Sequence, residues 1–402
     1  MDRVPLPHAV PQVTPNPFIK QYLMTAGPTP VPPEVSQAMA APMLYHRAPA
    51  FDALYERVLT RLPQVFRTAN PVLAFAASGS GAMESAVANL VRPGTRALAC
   101  ASGKFGERWI GLCEAYDADL VRHEPGWGVR FDPAEIDALL SANPGVEVVF
   151  ATLSETSTGI VHDIQALGEV VRRHGALFVV DAVSGLGAAR LHQDEWHVDV
   201  VVAGSQKALM TPPGLAFASV SERALERAAA ASTGRYYFDW SRTAKSQAKG
   251  ASPFTPAVSL FFGLDVALGM IEAEGLENAW ARHDLLARAT RAGVHAMGLE
   301  LYGDPDERAT VVTAIELPED VDGRKVPGTL RKLGITANGG QDHLAGRILR
   351  IAHCGYFGAF DIVTSLSGLE LALARLGHDV EHGAGPGAAQ KVFLEAGVLA
   401  AA

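Results

Sequence analysis

The 402-residue sequence is short of cysteine, of positive charge and of long apolar runs. Its three cysteines, Cys100, Cys113 and Cys354, are odd in number and lack metal-ligand spacing. That argues against a disulfide scaffold and makes a reducing cytoplasm the expected setting. Lysine and arginine total 34 against 43 aspartates and glutamates, a net charge of −9. No bulk field draws such a chain to nucleic acid or to an anionic membrane. An anionic ligand would need a local positive site. No apolar run reaches the length of about 18 residues that a membrane span needs. The first residues, Met1-Asp-Arg-Val-Pro-Leu-Pro-His8, carry no apolar core of signal-peptide length. Internal repeats are absent from the sequence.

What is present suits a globular enzyme. Hydrophobic residues make up 48% and charged residues 19%. The length suits roughly two or three domains. Between residues 70 and 220, short β-branched runs alternate with helical periods. Strands are expected at 96–101, 119–122, 146–152, 177–181, 198–203 and 217–220, and helices at 106–116, 133–140 and 164–174. Repeated β–α units of this kind predict an α/β fold, a mostly parallel sheet with helices on both faces. Residues 235–256 are aromatic and basic and read as a loop at a subunit boundary. A helical pattern over 260–297, strands at 311–317 and 347–352, and helices at 324–333 and 361–376 predict a second α+β layer. The expected layout is an N-terminal arm (1–20), a large domain (21–280), a smaller C-terminal domain (281–380) and a flexible tail or frayed helix (381–402).

Three features fall at the carboxyl ends of expected parallel strands, where open α/β sheets bind ligands. The first is Ser80-Gly81-Ala82 in Ser78-Gly-Ser-Gly-Ala-Met-Glu84, a small-residue helix start. It is either a phosphate cradle or an ordinary helix cap. The second is Asp181, which ends a strand and either caps a turn or serves a ligand. The third is Lys207, which follows Val198-Asp-Val-Val-Val-Ala-Gly-Ser-Gln206. Its head either reaches solvent or is a neutral, reactive amine, since an unpaired buried ammonium is costly. The set matches what pyridoxal 5'-phosphate (PLP) requires. Its phosphate wants a helix N-terminus, its ring nitrogen a carboxylate and its aldehyde a lysine.

With these segments, Gly27-Pro-Thr-Pro30, Glu155-Thr-Ser-Thr-Gly159, Phe254-Thr-Pro-Ala257, Gly339-Gly-Gln-Asp-His343 and Leu349-Arg-Ile351 stand in one order along the chain. The sequence resembles a class V (fold-type I) PLP-dependent aminotransferase, of the alanine/serine–glyoxylate kind and its aspartate-using relatives, from about Leu23 to Leu376. The resemblance implies a large domain with a seven-stranded-type sheet, a homodimer, and roles for individual residues. Lys207 would hold the cofactor and move the proton. Asp181 would pair with the ring nitrogen, and Thr156 would bond the ring's phenolic oxygen. Ser80, Gly81, Ala82 and Gln206 would hold the phosphate, joined by Thr255 from the neighbouring subunit. Phe105 would stack on the ring, though it could be plain core. Arg350 would grip the substrate carboxylate, though it could be a surface charge. Gly27 would line the pocket. Arg47 is a candidate for a distal carboxylate of the substrate.

Glyoxylate-type relatives often carry Trp at the position of Phe105 and His at that of Ala82, and many have Gly at that of Ala352. These departures leave the amino donor open among alanine, serine and aspartate. They leave the acceptor open among glyoxylate, pyruvate and 2-oxoglutarate. A cysteine desulfurase or lyase on the same scaffold, and a non-catalytic subunit that keeps the fold, are the alternatives. The first would need a mobile cysteine upstream of Arg350, and Cys354 lies on the other side.

Overall fold

The computed structural model describes residues 19–230, 234–304 and 308–398. The expected arm lies almost wholly outside the described residues. A seven-stranded sheet runs through the middle of the molecule. Its spatial order is Val72–Phe75, Ala216–Val220, Val200–Gly204, Leu177–Asp181, Val148–Thr152, Arg96–Cys100, Asp119–His123. All neighbours are parallel except Ala216–Val220, which is antiparallel to both of its partners. Every residue of the strands 148–152, 177–181 and 200–204 is buried. Helices cover both faces, so these strands are continuous apolar runs rather than alternating ones. Each fully buried valine contributes about 1.5–3 kcal/mol. A charge at Val201 would therefore break the sheet at its centre.

Register brings the chemistry-bearing ends together. Thr152 pairs with Asp181, and Asp181 with Val202. Ala216 pairs with both Phe75 and Gly204. The ends of two strands distant in sequence are thereby level across the antiparallel strand. The helix Gly79–Leu90 and the Lys207 loop leave the sheet side by side.

A three-stranded antiparallel sheet, ordered Val312–Glu316, Ile348–Ala352, Asn338–Gly339, forms the centre of a second layer. It packs with the helices Leu276–Ala296, Ala359–Arg375 and Ala384–Glu395 around Leu286, Leu349, Leu366 and Phe393. Tyr22–Leu23 pairs in parallel with Ile335–Thr336. The chain continues between the two layers: the Ala26 N–H donates to Asn338 Oδ1 at 3.0 Å, and the Thr29 N–H to the Gln206 carbonyl at 3.1 Å.

Three expectations are corrected. The 260–297 pattern is two helices, Val258–Glu274 and Leu276–Ala296, broken at Gly275 with φ +82°. The 235–256 loop contains the helix Trp240–Gln247. Asp239 caps it by accepting from the Arg242 N–H, and the buried Trp240 donates from Nε1 to Ser85 Oγ. The Ala/Gly-rich C-terminal stretch holds a packed helix, Ala384–Glu395, rather than a loose tail. Ala389 and Phe393 are fully buried, and the Glu370 carboxylate accepts from the Gly383 and Gly385 N–H groups, each at 2.8 Å. Small residues let this helix lie close against Leu276–Ala296, which composition alone could not indicate. Among the described residues no helix is long and apolar enough to cross a membrane.

His162, His283 and His353 are buried, and desolvation lowers each pKa to about 3. Each ring has one nitrogen as donor and one as acceptor. His283, for example, accepts from the Gly355 N–H at 2.8 Å and faces the Ala279 carbonyl with Nδ1. The unfolded chain binds more protons than the native one between about pH 6.5 and 3. Stability from these groups is thus complete above pH 6.5 and is lost as pH falls toward 3. Asp181, with its pKa raised to about 6, acts in the opposite direction. We predict that urea midpoints fall below pH 6.5. The slope should be about 1.4 kcal/mol per pH unit for each histidine, less the Asp181 contribution. His353→Gln should flatten the slope by about one such share. A pH-independent midpoint from 7 to 4.5 would contradict this.

Candidate active site

Lys207 sits three residues beyond the Val200–Gly204 strand, in a loop closed on itself. Ser205 Oγ donates to the Pro212 carbonyl at 2.7 Å, and the Met210 N–H to the Lys207 carbonyl at 3.0 Å. Its side chain is 9% exposed, and Nζ donates to the Ala26 carbonyl. Gly27 adopts φ +134°, and a Cβ there would lie 2.2 Å from Nζ. The positive φ favours glycine here, and a Cβ would push the Lys207 side chain from its present position. Burial drives the Lys207 pKa down, Cys354 and Asp181 push it back up, and Arg350 and Arg108 add to the depression. The solvent-reaching reading of this lysine is excluded.

Asp181 ends the adjacent strand and is 4% exposed. Burial raises its pKa to about 6, while the Val183 N–H, donating to Oδ1 at 2.7 Å, holds it down. No cation forms an ion pair with its carboxylate among the described residues. Beside it starts the helix Gly79–Leu90, with Ser78 as N-cap and no side-chain cap. A Cβ on Gly79 would meet the Val183 side chain at 2.7 Å, and one on Gly81 would meet Ala77 Cβ at 2.8 Å. The Ala82 N–H donates to the Ser78 carbonyl at 3.2 Å. The Ser80 and Gly81 amides have no acceptor within the helix, as first-turn amides do not. Free first-turn amides at the positive end of a helix dipole suit an anion. Gln206 lies beside Gly204 and Gly79, and its buried Oε1 has no hydrogen-bond partner.

Phe105 and Thr156 lie on neighbouring turns. Phe105 opens the helix Lys104–Ala115, and the Arg108 guanidinium stands 5.0 Å from its ring centre. Thr156 is buried, and its carbonyl accepts from Arg350 Nη1 at 2.9 Å. Arg350 is the middle residue of Ile348–Ala352, pairs with Ala314 and Asn338, and is 6% exposed. Its Nε and Nη2 both donate to the Gly339 carbonyl, at 3.0 and 2.9 Å. Burial lowers its pKa to about 10, against the pull of Glu155, so it stays charged at neutral pH. The surface reading of Arg350 is excluded.

Two residues stand apart from this cluster. Thr255 is exposed and borders a groove with Met43, Leu44, Tyr45 and His46. Arg47 donates from Nη1 to the Ser252 carbonyl at 3.1 Å and makes no hydrogen bond to Lys207, Asp181 or Arg350. Sequence reasoning also missed two residues. Glu155, in the Glu-Thr-Ser-Thr-Gly segment, is a fully buried carboxylate directly before Thr156. Arg108 acts electrostatically on both Asp181 and Lys207. Glu155 was visible as a carboxylate at a strand end; Arg108 sits in a helical period with no signal of its own. The three cysteines are free and buried, and burial pushes the Cys354 thiol up to about 11. Among the described residues no group of three His, Cys, Asp or Glu is placed to hold a metal ion.

The model of the family described as "Aminotransferase class-V" matches residues 21–354. The chain is 41% identical to the "Soluble hydrogenase, small subunit" of a Synechococcus species, over 94% of this chain and 99% of that one. It is 35% identical to the L-aspartate–glyoxylate aminotransferase of Paracoccus denitrificans, over 92% of this chain and 95% of that one. Among solved structures, the ureidoglycine–glyoxylate aminotransferase of Bacillus subtilis superposes with a TM-score of 0.90 at 32% identity, covering 93% of this chain and 98% of that one. With the buried lysine, the strand-end aspartate and the open helix start in place, the chain belongs to the class V aminotransferases, with the fold-type I architecture.

Proposed function

We propose that the protein is a PLP-dependent transaminase that moves the amino group of a small L-amino acid (alanine, serine or aspartate) to a small 2-oxoacid (glyoxylate, pyruvate or 2-oxoglutarate). The observation that carries this reading is the buried Lys207 amine, in the loop after the strand beside Asp181, in a class V aminotransferase chain. The glyoxylate activities named for the Paracoccus and Bacillus relatives support the choice of substrates; the hydrogenase name stays with the Synechococcus protein.

The residues fit PLP. The amides of Ser80 and Gly81 and the unpartnered carboxamide of Gln206 suit its phosphate. Asp181 would hold the protonated ring nitrogen, Thr156 the phenolic oxygen, and Phe105 one ring face. PLP, when bound, supplies an electron sink for the charge left at the substrate's α-carbon. Lys207 Nζ, whose burial favours the neutral form, would take the proton from the substrate's α-carbon. Arg350 spends three of its five N–H groups on Gly339 and Thr156. One N–H remains on each terminal nitrogen, an end-on fork for the substrate carboxylate. The Ala26 carbonyl and the Gly27 backbone wall off Nζ from water on one side.

The active unit in this reading is a homodimer in the cytoplasm. Support comes from the groove that Thr255 shares with the exposed Met43 and Tyr45, an apolar face suited to a second copy of this chain. A desulfurase reading is disfavoured by Cys354, which is buried, protonated and beyond Arg350.

Lys207→Ala should lower transamination by about 10²–10⁴-fold or more and remove the visible absorbance of the purified protein, in a panel of alanine, serine, aspartate and glutamate donors against three 2-oxoacids. Retained turnover would overturn the proposal. Arg350→Ala should raise KM for carboxylate substrates by about 10–100-fold, the worth of one lost charged contact. An unchanged KM in steady-state kinetics would remove Arg350 from that role.

A further inference from the structure

Glu155 is a fully buried carboxylate, and the chemistry above makes no use of it. Among the described residues it forms no ion pair at contact distance. Four donors surround it instead. Oε2 accepts from the Phe105 and Gly106 N–H groups, both at 3.0 Å. Oε1 accepts from the Ser157 N–H at 3.1 Å and from Ser157 Oγ at 2.6 Å. Ser157 Oγ in turn accepts from the Lys104 N–H at 3.0 Å.

The helix Lys104–Ala115 has Gly103 as its N-cap, and glycine has no side chain to cap with. A side chain there has no room: a Cβ on Gly103 would lie 2.4 Å from Ser157 Oγ and 2.6 Å from Glu155 Cδ. The cap is supplied by another part of the chain. Glu155 and Ser157 bind three successive first-turn amides, of residues 104, 105 and 106. Charge at this place suits the positive end of the helix dipole. Both carboxylate oxygens accept two donors, so only the ionised form satisfies all four. Burying a carboxylate costs several kcal/mol, whereas a serine at a roomier N-cap would close the helix far more cheaply. The extra cost returns a linkage that a local cap cannot make, because Glu155 is the residue before Thr156.

We propose that Glu155 is a positioning residue: it locks the helix start that carries Phe105 to the turn that carries Thr156, so that both meet a bound ring in one fixed geometry. This rests on the PLP reading above. The lock extends to the substrate side, since the Thr156 carbonyl also receives Arg350 Nη1.

The test uses purified full-length protein, stripped of cofactor and titrated with PLP. Cofactor affinity and the visible circular dichroism of the bound form, which reports ring orientation, are read alongside far-ultraviolet circular dichroism. Glu155→Gln places an amide N–H₂ against backbone donors. It should keep the far-ultraviolet spectrum, weaken PLP binding by about tenfold or more and diminish the visible band. In a Phe105→Ala background the same change should cost less than about threefold, because its partner is gone. If Glu155→Gln does not fold, Ser157→Ala, which removes one donor and keeps the carboxylate, should move affinity and band in the same direction by a smaller factor. A folded Glu155→Gln, or in its stead Ser157→Ala, with wild-type affinity and visible band would overturn the inference. So would equal losses with and without Phe105. Wild-type protein that takes up no PLP would overturn the cofactor reading itself, and this inference with it.

Discussion

Desolvation of the Lys207 amine sets the terms for the rest of the site. Burial beside the Ala26 carbonyl and the Gly27 backbone disfavours the charged form of this amine. Its pKa is driven down, which favours the neutral form that can act as a base. The packing that achieves this is tight. Gly27 has no space for a methyl group, and a Cβ on Gly355 would lie 2.9 Å from the Lys207 carbonyl oxygen. The segment 24–29 is tied to the second layer through Asn338 and to the Lys207 loop through Thr29, whose Oγ1 donates to the Lys207 carbonyl at 3.0 Å. Both layers therefore contribute to keeping one side chain dry.

The same burial raises the affinity of Asp181 for a proton and lowers that of Arg350. Each of these groups gains by receiving an opposite charge. In the proposed reading Asp181 would meet the cationic ring nitrogen of the cofactor and Arg350 the carboxylate of the substrate, with the Lys207 amine between the two reactants. The open helix start at Ser80 and Gly81 adds a place for phosphate. The arrangement is one of complementary unmet demands, and the sheet register sets their spacing through Asp181–Val202 and through Ala216, shared by Phe75 and Gly204.

The central strands 148–152, 177–181 and 200–204 were legible in the sequence because they are covered on both faces and so appear as apolar, largely β-branched runs. Lys207 and Asp181 were legible because a charged residue directly after such a run needs a reason. Contacts made across long sequence separations were not. Nothing near Gly103 announces that Glu155 caps its helix. The Ala/Gly-rich stretch at 384–395 looked loose because its anchor, Glu370, lies on a different helix. Trp240 read as part of an aromatic loop because its partner, Ser85, is 155 residues away. The hydrogen bond from Arg47 to the Ser252 carbonyl joins residues 205 apart and was likewise hidden in the sequence.

One amine at the lip of a sheet carries the proposed chemistry. Borohydride reduction of the purified protein, followed by peptide mapping, tests it directly. A single pyridoxyl label on the peptide that contains Lys207 is the predicted result. A label on another lysine, or none after incubation with PLP, would contradict it.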